Sequence, residues 1–320
     1  MSFFHRIPFA SLSVLVIAVL LVVPAQAERV TIMTYNVENM FDVFDDPYTG
    51  DDGTDVKRRS EILTIARAIA ASDADVIVFQ ELENEYLLQS MVETFLPDAG
   101  YEYIACQRTN SGRGINLGVV SRLPIKSLTS HRFKTLTHPD APDQTWRFAR
   151  DAMQVTLNAH GNDLHLFNVH LKSNSSRPGD ENSKLWRTAE AMALKALIRE
   201  RIAEEPDALV VALGDFNSNL ETRPEQVRPW PATAYLRKPE ADGTQLLHDA
   251  HDEIEDFNAR ITIPGRGQYP GAVFDYIYAS PKLHTMLVKG SAKIINDRKL
   301  TGGSDHYPVY ATYDIPKKAD

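Results

Sequence analysis

Cysteine is almost absent from this chain. One residue, Cys106, stands among 320, so no intramolecular disulfide can form and no thiolate cluster can hold zinc. Cys106 lies in the strand-like run Tyr101–Cys106, where a small buried hydrophobe is a better reading than a nucleophile. Basic charge is scarce too: 34 Lys and Arg stand against 43 Asp and Glu, a net charge of −9. This argues against a protein that grips a polyanion over many phosphates, because such proteins carry a basic footprint. It suits a site that collects divalent cations, and leaves transient cleavage of nucleic acid open. The apolar run Phe9–Val23 is short for a membrane span, which takes about 20 residues. With His5 and Arg6 before it and Ala25-Gln26-Ala27 after it, it has the form of a cleaved secretory signal. Residues 1–27 are therefore expected to be a leader, and 28–320 a single domain, secreted or periplasmic, with no membrane insertion once the leader is removed. An uncleaved N-terminal anchor is the alternative. Internal repeats, low-complexity tracts and interdomain linkers are missing as well.

What is present is an ordinary globular composition, 43% hydrophobic and 24% charged. Val30–Val37, β-branched and mostly apolar, is predicted to be the first strand. Ile62, Ile65, Ala66 and Ile69 recur at helical spacing over Val56–Ala71, and Asp75–Phe79 is a buried-type strand. The chain thus opens with a strand–helix–strand unit. A second helix is predicted over Tyr86–Leu96, stopped by Pro97. Strands follow at Tyr101–Arg108, Leu117–Ser121, Ile125–His131, Ala152–Leu157 and Leu164–His170. Arg187–Ala203 is the longest helical pattern and Ala208–Leu213 another apolar strand. Regular structure is predicted again at Val273–Ala279, Thr285–Ile295 and Tyr307–Tyr313. The acidic stretch Asp42–Asp55 lacks EF-hand spacing and reads as a solvated loop. Residues 221–271 show little pattern.

Polar groups recur where the apolar strands stop. Asn36 and Glu38 follow one strand, Glu81 another, His170 and Lys172 a third, Asp215 and Asn217 a fourth. Asp275 lies within a fifth, and Asp305-His306, delivered by Gly302-Gly303, precede a sixth. Each has a structural reading when taken alone: a turn-forming Asx, a solvated acid, a hydrogen-bonded core imidazole. Buried polar groups are costly unless satisfied, so their accumulation at strand ends favours one shared site. Carboxylate from Glu81, with Asp305 or Asn36, suits a hard cation such as Mg²⁺, which keeps several waters and takes one or two carboxylates. The His-x-x-x-His and Glu-x-x-His pairs that would point to zinc are missing. Imidazoles at His170 and His306, amides at Asn36 and Asn217 and a nearby Asp suit in-line attack of water on a phosphodiester.

Six motifs in order carry a resemblance: Tyr35-Asn36-Val37-Glu38-Asn39, Phe79-Gln80-Glu81, Asn168-Val169-His170-Leu171-Lys172-Ser173, Leu213-Gly214-Asp215-Phe216-Asn217, Phe274-Asp275-Tyr276-Ile277 and Ser304-Asp305-His306-Tyr307-Pro308-Val309. The chain resembles the endonuclease/exonuclease/phosphatase (DNase I-like) superfamily, and within it an exported bacterial nuclease-like branch. That resemblance implies a four-layer α/β sandwich, two mixed β-sheets packed face to face with helices outside. It implies Glu81 as principal metal ligand, with Asn36, Glu38 and Asp305 in or near its coordination shell, and Mg²⁺ as the cofactor, Mn²⁺ being a substitute. It also implies that Asp215 orients or deprotonates the attacking water and that Asn217 positions it. His306, held by Asp275, contacts the phosphate either as base or as a transition-state donor, His170 is the second phosphate-facing imidazole, and Arg150 and Lys172 are further phosphate-binding groups. The lysine-rich arms of DNA-repair members are missing here. The expected function is a secreted metal-dependent phosphodiesterase, a nuclease of low sequence specificity, with nucleic acid as substrate and no obligate protein partner. The alternatives are a phosphatase or phospholipase acting on a lipid or sugar phosphate, and a catalytically silent binding module of the same fold.

Overall fold

The first half of the chain folds in order as β1 (Ala27–Met40), α1 (Arg59–Ser72), β2 (Val76–Leu82), α2 (Glu85–Phe95), β3 (Tyr103–Gln107) and β4 (Asn116–Ser121). The computed structural model describes residues 27–51, 53–219, 231–268 and 270–318. The leader expected over residues 1–27 lies outside them, apart from Ala27, which opens β1. No helix of the described residues is long and apolar enough to cross a membrane. The start of α1 is closed by the Glu61 carboxylate, which accepts the Arg58 N–H, and α2 starts where the Asn84 side chain accepts the Leu87 N–H. Both devices satisfy amides that the first turn leaves without partners.

The second half continues with β5 (Ile125–Thr129), the hairpin β6 (Leu136–His138) and β7 (Ala141–Trp146), β8 (Ala152–Ala159), β9 (Asn162–His170), α3 (Lys184–Glu204) and β10 (Leu209–Asp215). After it come α4 (Pro231–Arg237), β11 (His248–Asp249), β12 (Asp275–Ala279), α5 (Pro281–His284), β13 (Lys293–Ile294), α6 (Arg298–Thr301) and β14 (Val309–Pro316). One sheet has the order β13-β14-β1-β2-β4-β3, the other β11-β12-β10-β9-β8-β5. Each is mixed. β1 runs parallel to β2 across α1, β9 parallel to β10 across α3, and the remaining pairs are antiparallel.

Alternate residues of a strand face opposite sides, so a strand covered on both faces must be apolar almost throughout. β1 shows this: Val30 and Ile32 join Val155, Leu166 and Val211 between the sheets, while Met33 and Tyr35 pack outward with Ile65, Ile69 and Met91 of α1 and α2. The second sheet does the same, with Val210 and Tyr278 turned outward against Leu194 and Ile198 of α3. Helices, sheet, sheet, helices: the four-layer sandwich stands as expected.

The regular structure expected over Thr285–Ile295 comes down to one short strand, Lys293–Ile294. Ser280 caps a short helix led by Pro281, and Gly290 turns the chain at φ +73°, so the apolar residues between them pack from turns. Gly302-Gly303 is not there for unusual backbone angles, since neither has positive φ. A Cβ on Gly303 would stand 2.3 Å from the Glu61 carbonyl of α1, so the pair permits close approach. Gly214 combines both needs: φ is +140° and a Cβ would lie 2.0 Å from the Val169 carbonyl. Bare backbone there lets β10 run tight against β9 just before Asp215.

Candidate active site

β1 does not stop at Val37. It continues to Met40 through a register shift against β2, with Glu38 and Asn39 at φ +48° and +51°; β2 shifts in turn beside Glu81, at φ +62°. Asn217, just past β10, has φ +47°. Such angles are rare for residues with a Cβ and cost free energy that the surrounding structure must offset. The bulges re-aim side chains that a regular pleat would send into the core. Glu38, Glu81 and Asn217 thereby meet Asp215 and His170, which end β10 and β9 in regular register, at one end of the paired sheets.

The hydrogen bonds show how tightly they meet. Asp215 Oδ1 accepts the Asn217 N–H at 2.8 Å, and Oδ2 accepts Asn36 Nδ2 at 3.0 Å. The same Oδ2 lies 3.3 Å from His170 Nε2 and 3.9 Å from His306 Nε2. His306 Nδ1 and Asp275 Oδ2 are 2.8 Å apart, and Ser304 Oγ accepts the His306 N–H while donating to the Asn36 carbonyl. Glu81 Oε2 accepts the Asn39 N–H at 3.1 Å, while its Oε1 stands 3.8 Å from His170 Nε2. Beneath this cluster Gln80 donates to Asn168 Oδ1 at 2.7 Å, and Asn168 donates to the Phe79 and Gly118 carbonyls, a polar bridge from one sheet to the other.

The two key titratable groups are pushed in ways that suit acid and base roles. Burial alone would lower His306, but the charge and hydrogen bond of Asp275, then Asp215 and Asp305, raise it to about 10. Asp215 is raised to about 7, chiefly by burial, with Asp275 and Glu81 adding to it and His306 opposing. His170 goes the other way. Burial, then the neighbouring Arg150 and His306 cations, hold it well below the ordinary value, so its ring is neutral. Glu38 is raised by burial and by the adjacent Asp305 and Glu81 charges. Negative charge is thus crowded where the sequence places a cation.

Among the described residues no three His, Cys, Asp or Glu side chains form a ready-made metal cage. The donor chemistry nevertheless fits a hard cation that keeps its waters: the carboxylates of Glu81, Glu38 and Asp305 and the amide of Asn36, with no thiolate. The Asp305 side chain is 60% exposed and 3.9 Å from His306 Nε2, so it closes the mouth of the site toward solvent. Arg150 is buried, donating to the Leu171 carbonyl at 3.1 Å. Lys172 turns its amine outward to Ser175 Oγ, 2.7 Å away, and flanks a neighbouring cleft.

Glu190 and Arg187 of α3 were not legible as site residues. Glu190, fully buried, accepts the Ala149 N–H at 2.7 Å and the Lys172 N–H at 2.6 Å, and Arg187 donates to the Lys172 carbonyl at 2.8 Å. They are positioning residues: they clasp the two backbone segments that present Arg150 and Lys172. Burial raises Glu190 from 4.5 to about 7 despite the hydrogen bonds and the nearby Arg150 and Arg187 charges. A carboxyl raised on folding contributes stability that is fully present below its unfolded value and lost as pH rises through about 7. Glu190→Gln is expected to lose about 1–3 kcal/mol at pH 5 from one amide left without its acceptor. It should also lack that declining limb in thermal melts taken from pH 5 to 8. An unchanged pH profile would show that Glu190 is not the group responsible.

A family model described as "Endonuclease/Exonuclease/phosphatase family" matches residues 31–227. No curated protein matches the chain in sequence. Among solved structures, D. rerio TDP2 complexed with a single-strand DNA product is 19% identical, with a TM-score of 0.59 over 89% of this chain and 98% of that one. An endonuclease/exonuclease/phosphatase from Beutenbergia cavernae is 18% identical, with a TM-score of 0.58 over 90% of this chain and 72% of that one. The human Nocturnin catalytic domain with bound sulfate is 16% identical, with a TM-score of 0.58 over 89% and 94%. At these identities the likeness is one of fold.

Proposed function

The chain belongs to the endonuclease/exonuclease/phosphatase family, and on that premise we propose that it is an exported, divalent-metal-dependent phosphodiesterase, a nuclease of low sequence specificity acting on DNA or RNA. The observation that carries this is the Asp215–His306 pair, two groups 3.9 Å apart whose surroundings push a base toward neutrality and an acid well above it. Both are raised, yet they stay apart, so one can be deprotonated while the other keeps its proton, which lets one site run base and acid chemistry at the same pH.

The protein groups divide the work as follows. Asp215, held by Asn36 and Asn217, faces the attacking water and takes its proton. His306, kept as imidazolium by Asp275, donates to a phosphate oxygen as negative charge builds there. Neutral His170 and the Arg150 guanidinium supply further donors on the same face. A hard cation such as Mg²⁺, or Mn²⁺ in its place, held by Glu81 with Asn36, Glu38 and Asp305, would add its positive charge against the phosphate.

Plasmid, single-stranded DNA, RNA, an inositol phosphate and a choline phospholipid, each incubated with the protein in Mg²⁺ or in EDTA, separate the readings. Cleavage of nucleic acid in Mg²⁺, falling to background in EDTA, is expected. Turnover of only the inositol phosphate or the lipid would replace the nuclease reading, and inertness toward all five would leave a binding module.

A further inference from the structure

Beside the Arg150–Lys172 edge of the site lies a cleft of about 710 Å³. Four segments form it: the loop before β4, the end of the β6–β7 hairpin with the residues after it, the loop after β9, and the start of α3. Its lining has no acid at all, in a chain with 43 of them, and five cations: Arg113, Arg147, Arg150, Lys172 and Arg177. Among the described residues none of the five is in an ion pair. Six other arginines, for example Arg122 and Arg237, do pair with carboxylates. Cations left unpaired around one hollow repel one another; after burial, the Arg150 and Arg177 charges are the largest influences pushing Lys172 down. That cost is offset when an anion enters.

The rest of the lining is small or polar apart from three aromatic side chains. Trp146, Phe148 and Trp186 line the cleft, and no Leu, Ile, Val or Met does. Arg177 lies 4.8 Å from the centre of the Trp186 ring and Lys172 5.6 Å from it, while Trp186 Nε1 donates to the Arg147 carbonyl at 2.8 Å. An acyl chain would find no aliphatic wall. A paired duplex keeps its base faces inside and would gain nothing from the rings. Unpaired bases do stack on indole and guanidinium planes, and the volume is of small-ligand size.

We infer that this cleft is a subsite for an unpaired nucleotide next to the scissile phosphate, its base against the Trp186–Arg177 wall and its phosphate among Arg113, Arg147 and Arg177. The inference rests on the phosphodiesterase reading above and narrows it to single strands, or the unpaired ends of duplexes. The chain's acidic surface is then no obstacle, since a few nucleotides are held at one spot and not along a track.

The test uses three substrates in Mg²⁺: bis(p-nitrophenyl) phosphate, a 12-mer oligothymidylate, and a blunt hairpin duplex. The wild type is expected to cut the oligothymidylate faster than the hairpin. In Arg147→Glu/Arg177→Glu and in Trp186→Ala, the single-strand kcat/KM divided by the small-diester kcat/KM should fall at least about tenfold, the scale of one lost stacking or phosphate contact. A ratio within twofold of wild type, or an equal loss on hairpin and single strand, overturns the subsite. Binding gives the second arm: fluorescence anisotropy of dye-labelled oligothymidylate in EDTA should weaken by the same factor in the double variant. Unchanged anisotropy overturns the subsite independently of catalysis. No hydrolysis of any of the three substrates, with oligothymidylate still bound through Arg147 and Arg177, would sink the phosphodiesterase reading while keeping the cleft.

Discussion

His306→Ala should slow phosphodiester hydrolysis by about 10³-fold, the scale of losing a positioned charged donor in a buried site. The ring is held on both sides: Asp275 Oδ2 is 2.8 Å from Nδ1, and Ser304 Oγ fixes the backbone N–H. Only Nε2 is left to work. It points toward Asp215 Oδ2 and Asp305 Oδ1, 3.9 Å from each, where an incoming phosphate oxygen would take up its proton. Asp275→Asn tests the same role differently. It removes the largest influence raising His306, so burial prevails, the pKa falls, and the alkaline limb of kcat/KM moves to lower pH. Near-normal turnover in a folded His306→Ala protein, checked by circular dichroism, would mean the centre has been put in the wrong place.

Asp215→Ala should cost about as much, 10³-fold or more, because it removes the proposed base and unties three groups at once. Asn36 Nδ2, the Asn217 N–H and His170 Nε2 all converge on its carboxylate. The wild-type pH profile follows from the two shifts. Asp215, raised to about 7, must lose its proton to act, so kcat/KM rises with pH through that value; His306, raised to about 10, must keep its proton, so the rate falls as pH approaches it. Asp215→Ala should retain only a residue of activity with no rise near neutrality. An intact acid limb in that variant would assign the limb to another group.

Much of this was readable before any fold was known. Apolar runs such as Val76–Phe79 and Leu209–Leu213 are buried on both faces, and continuous apolarity is the strongest signal a strand can send. The candidate site could be picked out because Asn36, Glu81 and Asp215 stand where such a run ends and His306 just before one begins. The rest depended on long-range contacts. The β6–β7 hairpin is polar and holds Pro142, with only Leu136 and Ala141 buried; it is placed by packing on α3, some forty residues away. Glu190 occupies a position indistinguishable in the sequence from a solvated helical Glu. The bulges at Glu38, Asn39 and Glu81 carry no glycine to announce positive φ. Arg113, drawn into the cleft and hydrogen-bonded to Asn39, stands in Arg113-Gly114-Ile115-Asn116, a motif that resembles the exported branch, but nothing in it pointed to a cleft.

β14 is the last strand to be made, yet it lies between β13 and β1, pairing with β1 from Ala27↔Pro316 to Thr34↔Val309. The first and last strands of the described residues are therefore joined side by side, and Asn36 meets Ser304 only when that joint closes. A growing chain on the ribosome can assemble most of both sheets and still lack His306 and the strand that seats it. It can fold in part while the proposed site stays open. Synthesis order thus acts as a safety catch: the proposed site cannot close until β14 has emerged.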